Sequence, residues 1–185
     1  RIKLDVSISG RLVDLIEEGI DVALRVGELE DSSLMARLLM PCSFHACASP
    51  DYLRKHGLPK HPDDLRAHNC LVYSQAPNPD HWYFRNEQGK SFNVKVEGNL
   101  RTDTGNLLME AALNSKGIFI GPTYMVINAL KEGRLKTVLD DYTPTTSGLY
   151  AVYPYSKLVS TKVRAFVDYL AETCVIPPEN SGAQK

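Results

Sequence analysis

Several places along the chain put hydroxyl, backbone N–H or guanidinium donors where a small anion could be held. Ser9-Gly10 stands ahead of a run with Leu12, Leu15 and Ile16 on one helical face. Thr104 precedes the helix predicted over Gly105–Asn114, and Pro122-Thr123-Tyr124 opens another. The first turn of a helix carries unsatisfied N–H groups and partial positive charge, which suits a carboxylate. Arg25 ends a buried run and can add a two-pronged donor, with Gly27 just beyond it. Tyr73 closes a short strand before the loop Gln75–Asp80. Each residue has a plainer role beside this one. Ser9 can be a helix cap worth ~1 kcal/mol, Arg25 can pair with Asp21 or Glu28, and Tyr73 can pack at its strand end.

Catalytic signatures are missing from the chain. It has no G-x-S-x-G, H-E-x-x-H, P-loop, or G-x-G-x-x-G after a strand. His56, His61 and His68 fall in a polar connecting stretch without metal-ligand spacing, so neither a metal nor a cofactor is expected. Cys42, Cys47, Cys70 and Cys174 sit singly among apolar residues, as reduced thiols do in a cytoplasm. If Pro41–Ala48 is extended, Cys42 and Cys47 face opposite ways with Cα atoms ~16 Å apart, beyond the ~7 Å reach of a disulfide.

The elements that must position these groups follow from apolar spacing. Ile2, Leu4, Val6 and Ile8 alternate as a strand, and Gly19 stops the helix after it. Ile20–Val26 reads as a strand buried on both faces, so the segment is expected to be a parallel, right-handed βαβ unit. Ser9, Gly10 and Gly27 would then lie at the carboxyl ends of its strands, where such sheets bind ligands. A second βαβ-like run takes Phe92–Leu100 as strand, the helix after Asp103 or Thr104, and Ile118-Phe119-Ile120 as a buried strand. A further helix carries Val126, Ile127 and Leu130 and closes at Gly133, and Leu135–Leu139 is the next strand. Glu87-Gln88-Gly89-Lys90 turns a hairpin between Trp82-Tyr83-Phe84 and Phe92-Val94-Val96. Leu149–Tyr153 is a strand, Ser160 caps a helix with Val163, Phe166, Val167 and Leu170, and the tail after Ile176 is expected to be disordered.

Length and charge narrow the classes. The 185 residues are 43% hydrophobic and 23% charged, with a formal net charge of −1, ordinary for a globular chain able to bury a core. No basic stripe could follow a phosphate backbone, so the chain alone is not expected to bind duplex DNA. No run reaches the ~20 apolar residues of a membrane helix. The chain begins inside a strand and reads as part of something longer.

SGRLVDLIEEGIDVALRVGEL (Ser9–Leu29) followed by DSSLMARLL (Asp31–Leu39) resembles the effector-binding domain of LysR-type transcriptional regulators. The likeness continues in order through HACASPDYL (His45–Leu53), HPDDLRAHNCLVY (His61–Tyr73), HWYFRNEQGK (His81–Lys90), GIFIGP (Gly117–Pro122) and LYAVYP (Leu149–Pro154). It implies an α/β fold of two Rossmann-like lobes joined by two crossover strands, like type II periplasmic solute-binding proteins. Lobe I would be residues 1–47 plus 152–185, lacking its first strand and helix, and lobe II residues 48–151. The winged helix-turn-helix would lie outside this chain.

The resemblance further implies a small effector between the lobes, touched at Ser9 and the helix starts. Ser9, Gly10, Arg25, Gly27, Tyr73, Thr104, Pro122 and Tyr124 are the candidate contacts, and their donors favour an organic anion. It implies a cytoplasmic homodimer or homotetramer, with Thr123–Lys131 and Leu135–Leu139 on the lobe II side of the contact. DNA would be met only through the missing domain. Some members sense oxidants through a cysteine pair, which the separation of Cys42 and Cys47 argues against. Two rivals use the same fold. A freestanding solute-binding protein would sit in an oxidising compartment, against which four unpaired cysteines argue. An enzyme would need an acid, base or nucleophile cluster, and none is visible.

Overall fold

The computed structural model describes residues 2–11, 13–27, 34–144, 147–155 and 160–174. In chain order the strands and helices are β1 (Ala23–Gly27), β2 (Leu34–Cys42), β3 (Phe44–Ala48) and α1 (Pro50–His56), then β4 (Val72–Tyr73), β5 (His81–Asn86), β6 (Ser91–Lys95) and β7 (Arg101–Thr102). They continue with α2 (Gly105–Leu113), β8 (Phe119–Pro122), α3 (Thr123–Lys131), β9 (Lys136–Val138), β10 (Tyr142–Pro144), β11 (Ser147–Pro154) and α4 (Thr161–Thr173). The chain forms two compact units. Unit one holds residues 1–5, 13–42 and 147–185, and unit two holds 6–12 and 43–146.

Unit one is built on β11, which pairs antiparallel with β1 on one side and β2 on the other. Val163, Val167 and Leu170 recur at helical spacing and place α4 on Leu39, Leu149, Ala151 and Tyr153. An ion pair between Arg37 and Asp168 ties α4 to β2.

The expected βαβ unit at the start of the chain is not formed. Residues 2–9 make no strand, and Val6 and Ile8 are 74% and 96% exposed. Alternation supplies a face but not a partner, and no described strand lies alongside this segment. The expected helix is a turn. Asp14 Oδ1 accepts the N–H groups of Ile16 and Glu17 at 2.9 and 3.1 Å as an N-cap does, and the Glu18 N–H donates to the Asp14 carbonyl at 3.0 Å, but only this single turn forms. Of the expected apolar face, Leu15 is buried and Ile16 exposed, while Leu12 lies outside the described residues. Gly19 does take the left-handed conformation, at φ 66°. β1 is antiparallel to β11, and Leu24 and Val26 are exposed, so it is not buried on both faces.

Unit two carries the parallel pairing. The Leu71 N–H donates to the Ile118 carbonyl at 2.7 Å, and the Val72 N–H donates to that of Leu100 at 2.9 Å. β4 therefore lies between β7 and Ile118, parallel to both, with α2 as the crossover. The expected Phe92–Leu100 strand ends at Lys95 with β6, and the next strand, β7, starts only at Arg101. Between them Gly98 meets the Cys70 backbone so closely that a Cβ there would stand 1.8 Å from the Cys70 carbonyl oxygen.

β5 and β6 form the expected hairpin around Gly89, at φ 78°, with Trp82, Phe84 and Val94 buried on one face by the two-residue period. Trp82 and Phe84 pack with Leu65, Tyr52 and Ile118 in one core. Phe119, Leu108, Val126 and Leu135 fill a second under α2 and α3. The tail after Ile176 lies outside the described residues.

Candidate functional site

The carboxyl ends of β4 and β7 lie side by side, because the Ser74 N–H donates to the Thr102 carbonyl at 2.9 Å. Beyond β7 the chain turns sharply into α2. The Thr104 N–H donates to Thr102 Oγ1 at 3.1 Å, and the Thr104 hydroxyl donates to Asp103 Oδ1 at 3.2 Å. Thr104 is the N-cap of α2, yet its side chain makes no capping hydrogen bond. The opening amides of α2 are thus left without a side-chain partner, and an exposed carboxylate stands next to them.

Tyr73 is 37% exposed at the end of β4. Burial pushes its phenol above the ordinary tyrosine value, and the negative charge of Asp103 pushes it further. Gly10 reaches the same place. A Cβ on it would stand 2.3 Å from the Asp103 carbonyl oxygen, so only glycine permits this approach. On the α3 side, a Cβ on Gly105 would stand 2.9 Å from the Met125 Cε, which puts the first turns of α2 and α3 together.

Gly10, Tyr73 and Thr104 are therefore gathered in unit two, and Pro122 and Tyr124 lie where α3 begins. Pro122 is buried opposite Phe44, while Tyr124 is exposed. Thr123 between them is buried, and its hydroxyl donates to the Ser43 carbonyl at 3.1 Å. Its oxygen accepts from His45 Nε2 at 3.0 Å, so Thr123 fastens α3 to β3. Ser9 does not cap a helix as expected, because no helix follows it. Its Oγ accepts the Arg11 N–H at 3.2 Å in a local turn.

Arg25 and Gly27 belong to unit one. The Arg25 guanidinium donates to the Val13 carbonyl at 2.9 Å, tying β1 to the turn before it. Glu28, an expected partner, lies outside the described residues. Gly27 ends β1 at φ 141°, opposite Gly148.

Sequence reasoning weighed Asp103 only as a helix cap. Its carboxylate beside Tyr73 and Thr104 becomes visible once β4 and β7 are paired. Two open grooves, of about 480 and 370 Å³, lie elsewhere in unit two. The larger is lined by Ser49, Asp51, Glu110 and Arg134, the smaller by Asp80, Lys95, Glu97 and Arg101. Among the described residues no three His, Cys, Asp or Glu side chains converge on a metal position, and no helix is long and apolar enough to cross a membrane.

The family model described as LysR substrate binding domain matches residues 1–175. The chain belongs to this family. It is 35% identical to the HTH-type transcriptional regulator CrgA of Neisseria meningitidis serogroup B, over 92% of this chain and 57% of the relative. It is 34% identical to the HTH-type transcriptional regulator DmlR of Escherichia coli, over 93% of this chain and 56% of that one.

Solved structures agree. The CrgA regulatory domain superposes with a TM-score of 0.73 at 35% identity, covering 85% of this chain and 76% of that one. The full-length virulence activator AphB of Vibrio cholerae gives 0.76 at 29% identity, covering 91% and 57%. The chain spans a little over half the length of the curated relatives it matches. The LysR domain has the α/β fold of two lobes joined by crossover strands, like type II periplasmic-binding proteins. The matched family is described as a substrate-binding domain, and the relatives that carry it are HTH-type transcriptional regulators.

Proposed function

We propose that this LysR domain senses a small organic acid whose carboxylate meets the opening amides of α2 and draws the Thr104 hydroxyl away from Asp103. The observation carrying this reading is the uncapped start of α2 at the carboxyl ends of two parallel strands, where open α/β sheets hold ligands. Asp103 beside it accepts hydrogen bonds, which favours an acid that also bears a hydroxyl or amino group. Ser9, Gly10, Tyr73, Pro122 and Tyr124 complete the unit two side. Arg25 and Gly27, the remaining candidate contacts, belong to unit one.

In this reading the domain is not an enzyme and works in the cytoplasm as a homodimer or homotetramer. It reaches DNA only through a helix-turn-helix segment outside these residues. The test is a thermal-shift panel of hydroxy acids, amino acids, plain carboxylic acids and aromatic metabolites. An acid with a hydroxyl or amino group should raise the unfolding midpoint most, and its effect should fall in a Thr104→Ala variant. A panel in which neutral compounds alone stabilise the domain would refute the proposal.

A further inference from the structure

At the opposite, amino ends of these strands, Tyr52 of α1 binds the start of β4. Its hydroxyl oxygen accepts the Asn69 N–H at 2.9 Å and lies 3.3 Å from His68 Nδ1. When His68 is neutral with its hydrogen on Nε2, Nδ1 can accept the Tyr52 hydroxyl proton. Asn69 is a knot in its own right. Its carbonyl takes the Ile118 N–H at 3.0 Å, and its side-chain amide bonds Asn99 and the Lys116 carbonyl. Whatever loosens Asn69 loosens three chain segments together.

We propose that His68 is a proton-sensitive latch, in which protonation of Nδ1 breaks its bond from the Tyr52 hydroxyl and frees the Asn69 end of β4 from α1. With a proton on Nδ1, two donors face each other. The Tyr52 oxygen can then hold only by accepting twice, and its own hydrogen is left without a partner. His56, the last residue of α1, stacks on the Tyr52 ring at 4.5 Å, so a second imidazole repels the new charge. Asp64 of the turn Pro62–Ala67 is the acidic group that favours it. Cys70, near Tyr52, is held as a neutral thiol by burial. Burial and His56 outweigh Asp64 and place the His68 titration below the ordinary imidazole range, so the latch opens on acidification.

The test follows the wild-type chain by NMR from about pH 7.5 to about pH 5, across the free imidazole value of ~6.5. It records the His68 ring signals and the exchange of the Asn69 amide proton, corrected for intrinsic pH dependence. The latch predicts a His68 midpoint below the free value and a several-fold rise in Asn69 exchange with that same midpoint. His68→Asn keeps an acceptor near the Nδ1 position but cannot titrate, so its Asn69 exchange should be flat with pH. Asn69 exchange that ignores the His68 titration, or a variant with the wild-type profile, overturns the proposal. If the variant does not fold, the agreement of the two wild-type midpoints decides alone.

Discussion

Gly10→Ala separates the stability of the fold from the geometry of the site. The new Cβ would stand 2.3 Å from the Asp103 carbonyl oxygen and 2.8 Å from the Asp103 Cβ. Ordinary carbon contacts need ~3.5 Å, so one side must retreat by about 1 Å. Asp103 cannot easily move, because Thr102 and Thr104 hold it between β7 and α2. The segment carrying Gly10 can, since its neighbours Val6 and Ile8 are exposed and make no ladder.

The cost in stability should therefore fall below the ~1–3 kcal/mol usual for overpacking. Affinity is another matter. Moving Ser9 and Gly10 by ~1 Å removes a polar contact of about 1 kcal/mol, which weakens effector binding about fivefold. Gly98→Ala is the contrast. Its Cβ would stand 1.8 Å from the Cys70 carbonyl oxygen. Hydrogen bonds of 3.0 Å from Cys70 to Glu97 and 2.9 Å from Asn99 to Asn69 pin that strand crossing on both sides. It should lose about 3 kcal/mol or more. Denaturant unfolding of both variants, with calorimetric titration of the acid found by the panel, measures each effect. A Gly10→Ala protein as unstable as Gly98→Ala, or one with wild-type affinity, would refute the reasoning.

Ser9→Ala and Thr104→Ala should each weaken effector binding by about 1–2 kcal/mol without unfolding the domain, and together by less than the sum, read by calorimetry. Wild-type affinity in both single variants would remove these hydroxyls from the site. Burial pushes the Cys47 and Cys70 thiols up to about 12, so neither should react with iodoacetamide at about pH 8 until the protein is unfolded, as peptide mass spectrometry will show. Backbone N–H groups of Lys60 and His61 hold the Asp64 carboxyl below the ordinary value of 3.8. Its contribution to stability is thus present above that value and lost as pH falls through the lowered one. Asp64→Asn should be less stable than wild type near neutrality, with the difference in unfolding midpoint vanishing in strong acid.

Much of the architecture was legible because single segments carried their own evidence. α4 showed its stripe of Val163, Val167 and Leu170, α3 stopped before Gly133, and Gly89 marked the hairpin. The first segment misled for a physical reason. Ile2, Leu4, Val6 and Ile8 have the right alternation, but strand formation also needs a neighbour's hydrogen bonds, which sequence spacing does not encode. Thr104 was readable as a helix start. Asp103 and the approach of Gly10 were not, since both depend on β4, β7 and residues 6–12 meeting across long stretches of chain.

The central claim is that an organic acid binds at the start of α2. Titrating labelled domain with the strongest acid of the panel and following backbone amide shifts by NMR tests it most directly. The largest changes should fall on Gly10, Ser74, Gly105 and Asn106. Changes confined to the groove of Ser49, Glu110 and Arg134, with the α2 amides undisturbed, would contradict it.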